Sequence, residues 1–94
     1  MEINKLFGKP KTYNIGGVEF TFKPLTLENI DLLASLGDPK KQGEAMKQLV
    51  IETFKKSYPE IKEKDILKIS IEHFTEITKA ILDVNNIEIP EEMK

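Results

Sequence analysis

The chain has 94 residues, no cysteine and a formal charge of −2, with 14 basic side chains set against 16 acidic ones. A chain of this length predicts one domain with a modest core. The lack of cysteine excludes disulfide bonds and thiolate metal ligands, and it fits a reducing cytoplasm. The interleaved charges disfavour binding to nucleic acid or to an anionic membrane. We find no signal peptide and no run of about 20 apolar residues that could span a membrane.

The first 11 residues show no clear period, and they predict an irregular N-terminal arm. Gly8 and Pro10 interrupt any regular element there. Leu6 and Phe7 are apolar. Two interpretations of this pair stay open: the side chains cover the domain's own core, or they are an anchor for a partner.

A β-hairpin is predicted where apolar and polar side chains alternate on both sides of the Gly-Gly pair at 16–17. A two-residue Gly-Gly loop can take the positive φ values of a type I′ turn. In that register Ile15 faces Val18, and Tyr13 faces Phe20. The large apolar groups then share one face, which must pack on helices because an isolated hairpin is marginal in water.

The stretch after the hairpin, residues 25–37, predicts a short helix around which the rest of the chain is organised. Thr26 suits the N-cap, and Gly37 suits the left-handed residue that closes a helix. Only a narrow polar strip separates the apolar positions. Since a helix that is apolar over most of its circumference is covered on two sides, it is either the centre of the fold or partly covered by another molecule.

A second helix is predicted from Pro39 to about Ser57, with Asp38 as its N-cap. The tight connection makes it antiparallel to the first. Its predicted apolar stripe comprises Met46, Leu49, Val50, Thr53 and Phe54.

A loop with one helical turn near 64–67 follows, and Ser70 then caps a third helix over residues 71–84. The predicted stripe of that helix comprises Ile71, Phe74, Ile77, Ile81 and Val84.

These elements together predict an α+β, mostly α fold. It has an N-terminal β-hairpin followed by three main helices, the first two an antiparallel pair, and a loose C-terminal tail. One domain is predicted over residues 1–94, with an arm at 1–11, the hairpin and helical body at 12–84, and a flexible tail at 85–94.

The residues that carry catalysis or hold metals form no recognisable pattern in the sequence. His73 is the only histidine, and it has no cysteine and no clustered carboxylates beside it. None of the serines has an evident base or orienting group. We therefore expect no catalytic residue, no cofactor and no metal, and the chain is not expected to be an enzyme.

The order of the motifs resembles that of the small tail assembly chaperones of long-tailed bacteriophages and related prophages. The resemblance covers residues 13–84, and it rests on G-G-V-E-F-T-F-K-P-L-T-L-E-N-I, a Gly-Asp link, Y-P-E-I and S-I-E-H-F-T-E-I. It implies a non-enzymatic helper in the host cytoplasm that binds the tape-measure protein and tail-tube subunits during assembly. Such a helper is absent from the finished virion.

Two other classes stay open as functions. One is a structural head–tail or tail subunit that is retained in the virion. The other is a small nucleic-acid-binding regulator, which the near-neutral charge disfavours. A homo-oligomer also stays open.

A strip of apolar side chains on the flanks of the first two helices is a second candidate contact surface. It comprises Leu32, Leu36, Ile51 and Tyr58. Two interpretations stay open: the hairpin or the third helix covers the strip, or these residues contact a partner. Polar substitution of Ile51 separates the two, because a buried Ile51 is needed for folding and an exposed one is not.

Overall fold

The structure, a computed structural model, describes residues 2–87, and it shows the predicted α+β class with a hairpin followed by helices. The strands are β1 (Lys11–Ile15) and β2 (Val18–Phe22). The α-helices are α1 (Ile30–Ser35), α2 (Gln42–Ser57), α3 (Glu63–Ile66) and α4 (Phe74–Val84). Short 3-10 turns lie at Ile3–Leu6, Leu27–Asn29 and Ile71–His73. Of the predicted tail, residues 88–94 lie outside the described residues.

The hairpin has the predicted register. Ile15 pairs with Val18 across β1 and β2, and Tyr13 pairs with Phe20. The two turn glycines have φ values of 60° and 81°, a region that L side chains occupy only with strain. The apolar face packs on the helices, and Phe22 on that face is fully buried.

The centre of the fold is α2, which contradicts the prediction that the first helix is the centre. It contacts β2, α1, α3 and α4. Its buried side chains lie on more than one side of the helix, and they are Ala45, Leu49, Ile51, Thr53 and Phe54. A helix of 16 residues with neighbours on several sides can bury this much surface, whereas the six residues of α1 cannot.

The first helix is peripheral. None of its residues is buried, and α2 is the α-helix that it mainly contacts. Lys56 lies 3.2 Å from Glu28, and the Gln42 side chain donates to the Leu36 carbonyl at 3.2 Å. Because these contacts join the end of each helix to the start of the other, the pair is antiparallel, as predicted.

Helix α2 begins later than predicted. The Asp38 carboxylate accepts a hydrogen bond from the Lys40 N–H at 3.0 Å, and the Asp38 carbonyl accepts one from the Lys41 N–H at 2.9 Å. Asp38 therefore closes a separate turn rather than capping the helix, and α2 starts at Gln42.

The third predicted helix comprises a 3-10 turn and α4. The Ser70 hydroxyl accepts the predicted capping bond, from the Glu72 N–H at 3.3 Å. The predicted stripe is partly wrong. Ile77, Ile81 and Val84 are buried, whereas Ile71 and Phe74 are exposed. The first turn of this segment extends beyond the core, which leaves these two side chains without cover.

Within residues 2–87 the core contains packed aromatic rings and two buried hydroxyls that lack a hydrogen-bond partner. The Phe22 and Phe54 rings meet edge to face at 5.2 Å, which is a favourable arrangement for an aromatic pair. The Tyr13 hydroxyl closes one edge of this core by donating to Asp83 at 2.6 Å. The hydroxyls of Thr53 and Thr78 are buried and have no hydrogen-bond partner among residues 2–87.

Candidate partner-binding surface

The N-terminal arm holds its apolar side chains in solvent. Leu6 is 84% exposed and Phe7 is 67% exposed, so neither covers the core. The arm is nevertheless seated on the body, because Gly8 lies so close to Pro24 that a Cβ at Gly8 would overlap the proline ring. Glycine at this position lets the arm's backbone lie directly on the proline ring.

A second exposed apolar wall faces the arm. It is formed by Leu27, which is 84% exposed, and Ile30, which is 53% exposed. The Leu25 N–H donates to the Asn85 side-chain oxygen at 2.7 Å, and the Asn85 amide donates back to the Ile81 carbonyl at 2.7 Å. These bonds fix the start of the wall to the end of α4.

The two walls enclose an open groove of about 780 Å³. Its lining is predominantly apolar, and the large side chains that form it include Ile3, Leu6, Phe7, Leu27, Ile30 and Ile87. Concave, largely apolar sites of this size are typical of ligand and peptide binding. The groove can therefore bury apolar side chains of a partner through hydrophobic contact.

Two lysine residues line the groove. Lys23 and Lys56 are its only charged lining residues in the described part of the chain. Lys56 donates to Glu28 at 3.2 Å and to the Thr26 hydroxyl at 3.4 Å. Hydrogen bonding from Lys56, then from Thr26, together with the lysine's charge, holds the pKa of the Glu28 carboxyl below its usual range.

The predicted strip on the first two helices is not an exposed surface. Ile51 is 2% exposed and belongs to the core, so its interpretation as an exposed contact is wrong. Leu32 and Leu36 are half-buried against the same core. The Tyr58 ring is half-buried next to Phe20, and its hydroxyl accepts a hydrogen bond from a backbone N–H of β2 at 2.8 Å. The structure therefore covers this strip from within the chain.

The exposed apolar flank of the first helix is the one that carries Leu27 and Ile30. Leu32 and Leu36, on the other flank, pack against the core. The sequence did carry one usable signal. A helix with too few polar positions has to expose apolar side chains if only one side of it is covered.

A separate group of exposed apolar side chains lies on the segment that leads into α4. Ile71 is 88% exposed, and the segment also exposes Leu67, Ile69 and Phe74. The predicted stripe of the third helix includes Ile71 and Phe74, and it is wrong at these two positions. This group lies at the N-terminal end of α4, whereas the groove meets its C-terminal end through Asn85 and Ile87.

The single histidine takes part in the fold. His73 lies over the hairpin turn, where a Cβ on Gly16 would be 2.9 Å from its imidazole. Residues 2–87 contain no group of three or more His, Cys, Asp or Glu side chains placed to hold a metal ion. No helix in the same residues is long and apolar enough to cross a membrane.

Comparison with known proteins gives no further assignment. No protein-family model matches the chain, and no curated protein or solved structure matches it.

Proposed function

We propose that this protein is a non-enzymatic phage tail assembly chaperone that binds an apolar segment of the tape-measure protein in the groove. The observation that carries the proposal is the exposure of Leu6, Phe7, Leu27 and Ile30 around one groove. Large contiguous apolar patches on a protein surface mark interaction sites. The proposal also rests on the resemblance of the motif order, from which the tail-tube subunits follow as further partners and the host cytoplasm as the place of action.

The groove suits reversible holding of an aggregation-prone segment. Each apolar side chain that a partner inserts there is removed from water, which contributes about 25 cal/mol per Å² of buried apolar surface. This contribution offsets the entropy that is lost when the partner becomes ordered. The groove is open to solvent, so a bound segment can leave when the tail structure offers it a better site. Affinity of this kind depends weakly on salt, because screening acts on charges rather than on apolar contact.

The test is co-expression with the tape-measure protein of the same phage genome. We expect the wild-type chain to raise the soluble yield of that protein, and the complex to survive moderate salt. Leu27→Asp should abolish both effects, because it puts a charge on the apolar wall. Ile71→Asp is the matched control: it makes the same kind of change at a residue of similar exposure outside the groove, and it should leave the yield unchanged.

Two outcomes would contradict the proposal. If co-expression does not change solubility and mass spectrometry detects the chain in purified virions, the protein is a structural subunit. If both aspartate variants lower the yield equally, the groove is not the binding surface.

A further inference from the structure

We propose that the groove selects partner segments in which acidic residues flank the apolar side chains. This inference rests on the proposed function and adds the chemistry of the partner segment. The apolar walls supply most of the affinity, and a basic side chain at the groove decides which flanking charges are accepted.

The charges at the groove differ in how far they are compensated. Lys56 lies against Glu28 at 3.2 Å, so its positive charge is largely neutralised locally. Lys23 has no carboxylate within 4.0 Å among the described residues. The groove therefore presents the positive charge of Lys23 to whatever lies beside it.

Lys23 is held in place by its backbone while its side chain is exposed. Its N–H donates to the Ser57 hydroxyl at 2.9 Å, which ties the end of β2 to the end of α2. Lys23 lines the groove beside its apolar residues, so its ammonium group is tethered to a fixed backbone position at the groove. A carboxylate on a residue next to a bound apolar side chain can pair with the ammonium group of Lys23, whereas a basic residue there would be repelled.

The same charge gives selectivity against other segments. Specificity can come from an unfavourable contact with the wrong partner as much as from a favourable one with the right partner. The chain as a whole has a formal charge of −2, which by itself attracts basic peptides. A preference for acidic peptides must therefore arise locally, at the groove.

The test uses two synthetic, dye-labelled amphipathic peptides that share the same leucine and alanine positions. One carries glutamate at its polar positions, and the other carries lysine. Binding to the full chain is measured by fluorescence anisotropy at low and at moderate salt. We expect the glutamate peptide to bind about three- to tenfold more tightly at low salt, with the ratio falling as salt is added.

Charge reversal identifies the residue that is responsible. Lys23→Glu should reverse the order of the two peptides while keeping the backbone bond to Ser57. Lys40→Glu is the matched control, because Lys40 is exposed and does not line the groove, and it should preserve the wild-type order. Leu27→Asp should weaken the binding of both peptides.

Three results would overturn the inference. The first is equal affinity for the two peptides, or a ratio of affinities that Lys23→Glu leaves unchanged. If Leu27→Asp then abolished the binding of both peptides, the proposed function would still stand. The second is no binding of either peptide to the wild-type chain, in which case co-expression decides the function separately. The third is self-association in sedimentation velocity that Leu27→Asp abolishes, because a second copy would then be the occupant.

Discussion

Replacing Ile51 by alanine tests whether α2 is the centre of the fold. Ile51 is 2% exposed, so the truncation removes buried groups worth about 0.8 kcal/mol each and leaves a cavity behind. We expect a loss of about 3 kcal/mol in the free energy of unfolding, within the usual range of about 2–5 kcal/mol for such changes. A domain of this size has only about 5–14 kcal/mol in total.

The measurement is urea denaturation followed by circular dichroism, with Leu27→Ala as the control. Leu27 is 84% exposed, so its truncation should change the free energy of unfolding by no more than about 0.5 kcal/mol. The Ile51→Ala midpoint should fall while the slope m stays the same. A thermal scan should show a Tm lowered by about 12–24 °C.

The outcome also decides between the two interpretations of the apolar strip. If Ile51→Ala lost less than about 1 kcal/mol with an unchanged slope, Ile51 would not be in the core, and the central position of α2 would be wrong. Ile51→Lys sharpens the comparison. At a buried site it should unfold the chain, whereas at an exposed contact it would leave the Tm unchanged.

Three further predictions concern the hairpin, the core and the pH dependence. Gly16→Ala should destabilise the fold by about 1–2 kcal/mol, from the strain of its positive φ and from contact with His73, and in urea denaturation His73→Ala should recover part of that loss. Replacing Thr53 or Thr78 by valine should raise the free energy of unfolding by about 1 kcal/mol, since each buried hydroxyl lacks a partner within residues 2–87. Burial, then the hydrogen bond to a carboxylate and its charge, raise the pKa of Tyr13 above its usual value. The contribution of this pKa shift to the free energy of unfolding, measured relative to Tyr13→Phe, should be fully present below about pH 10 and be lost as the pH rises further. Denaturation of both proteins at several pH values would show this.

The hairpin was predictable because local chemistry determines it. The Gly-Gly pair fixes the turn, and the alternation of side chains fixes which face is buried, so that a shift of one residue would expose the whole apolar set. The caps were predictable on the same grounds where a side chain bonds its own turn, as Ser70 does. Asp38 shows the limit: two competing N–H groups lie within reach of such a residue, and only the folded chain determines which one it bonds.

The buried faces of the helices were harder to predict. The sequence of a helix shows which positions are apolar, but it does not show which neighbouring element covers them. Ile51 is off the main stripe of α2, yet it is buried because α2 has neighbours on more than one side. Leu27 and Ile30 are as apolar as Leu32, and the sequence gives no reason to prefer one face. Tertiary packing decided both cases, and it left Leu27 and Ile30 exposed while Leu32 packs against the core.

The division between core and groove bears on how the protein works. The core is built around α2 and the hairpin, whereas the groove is built largely from the arm and the first helix, where none of the described residues is buried. Substitutions at Leu27 or Phe7 therefore change the surface with little effect on the free energy of unfolding. The fold does not require leucine and phenylalanine at these positions, and their exposure makes aggregation more favourable. An apolar surface that adds little to stability and increases aggregation supports the proposal that a partner covers it.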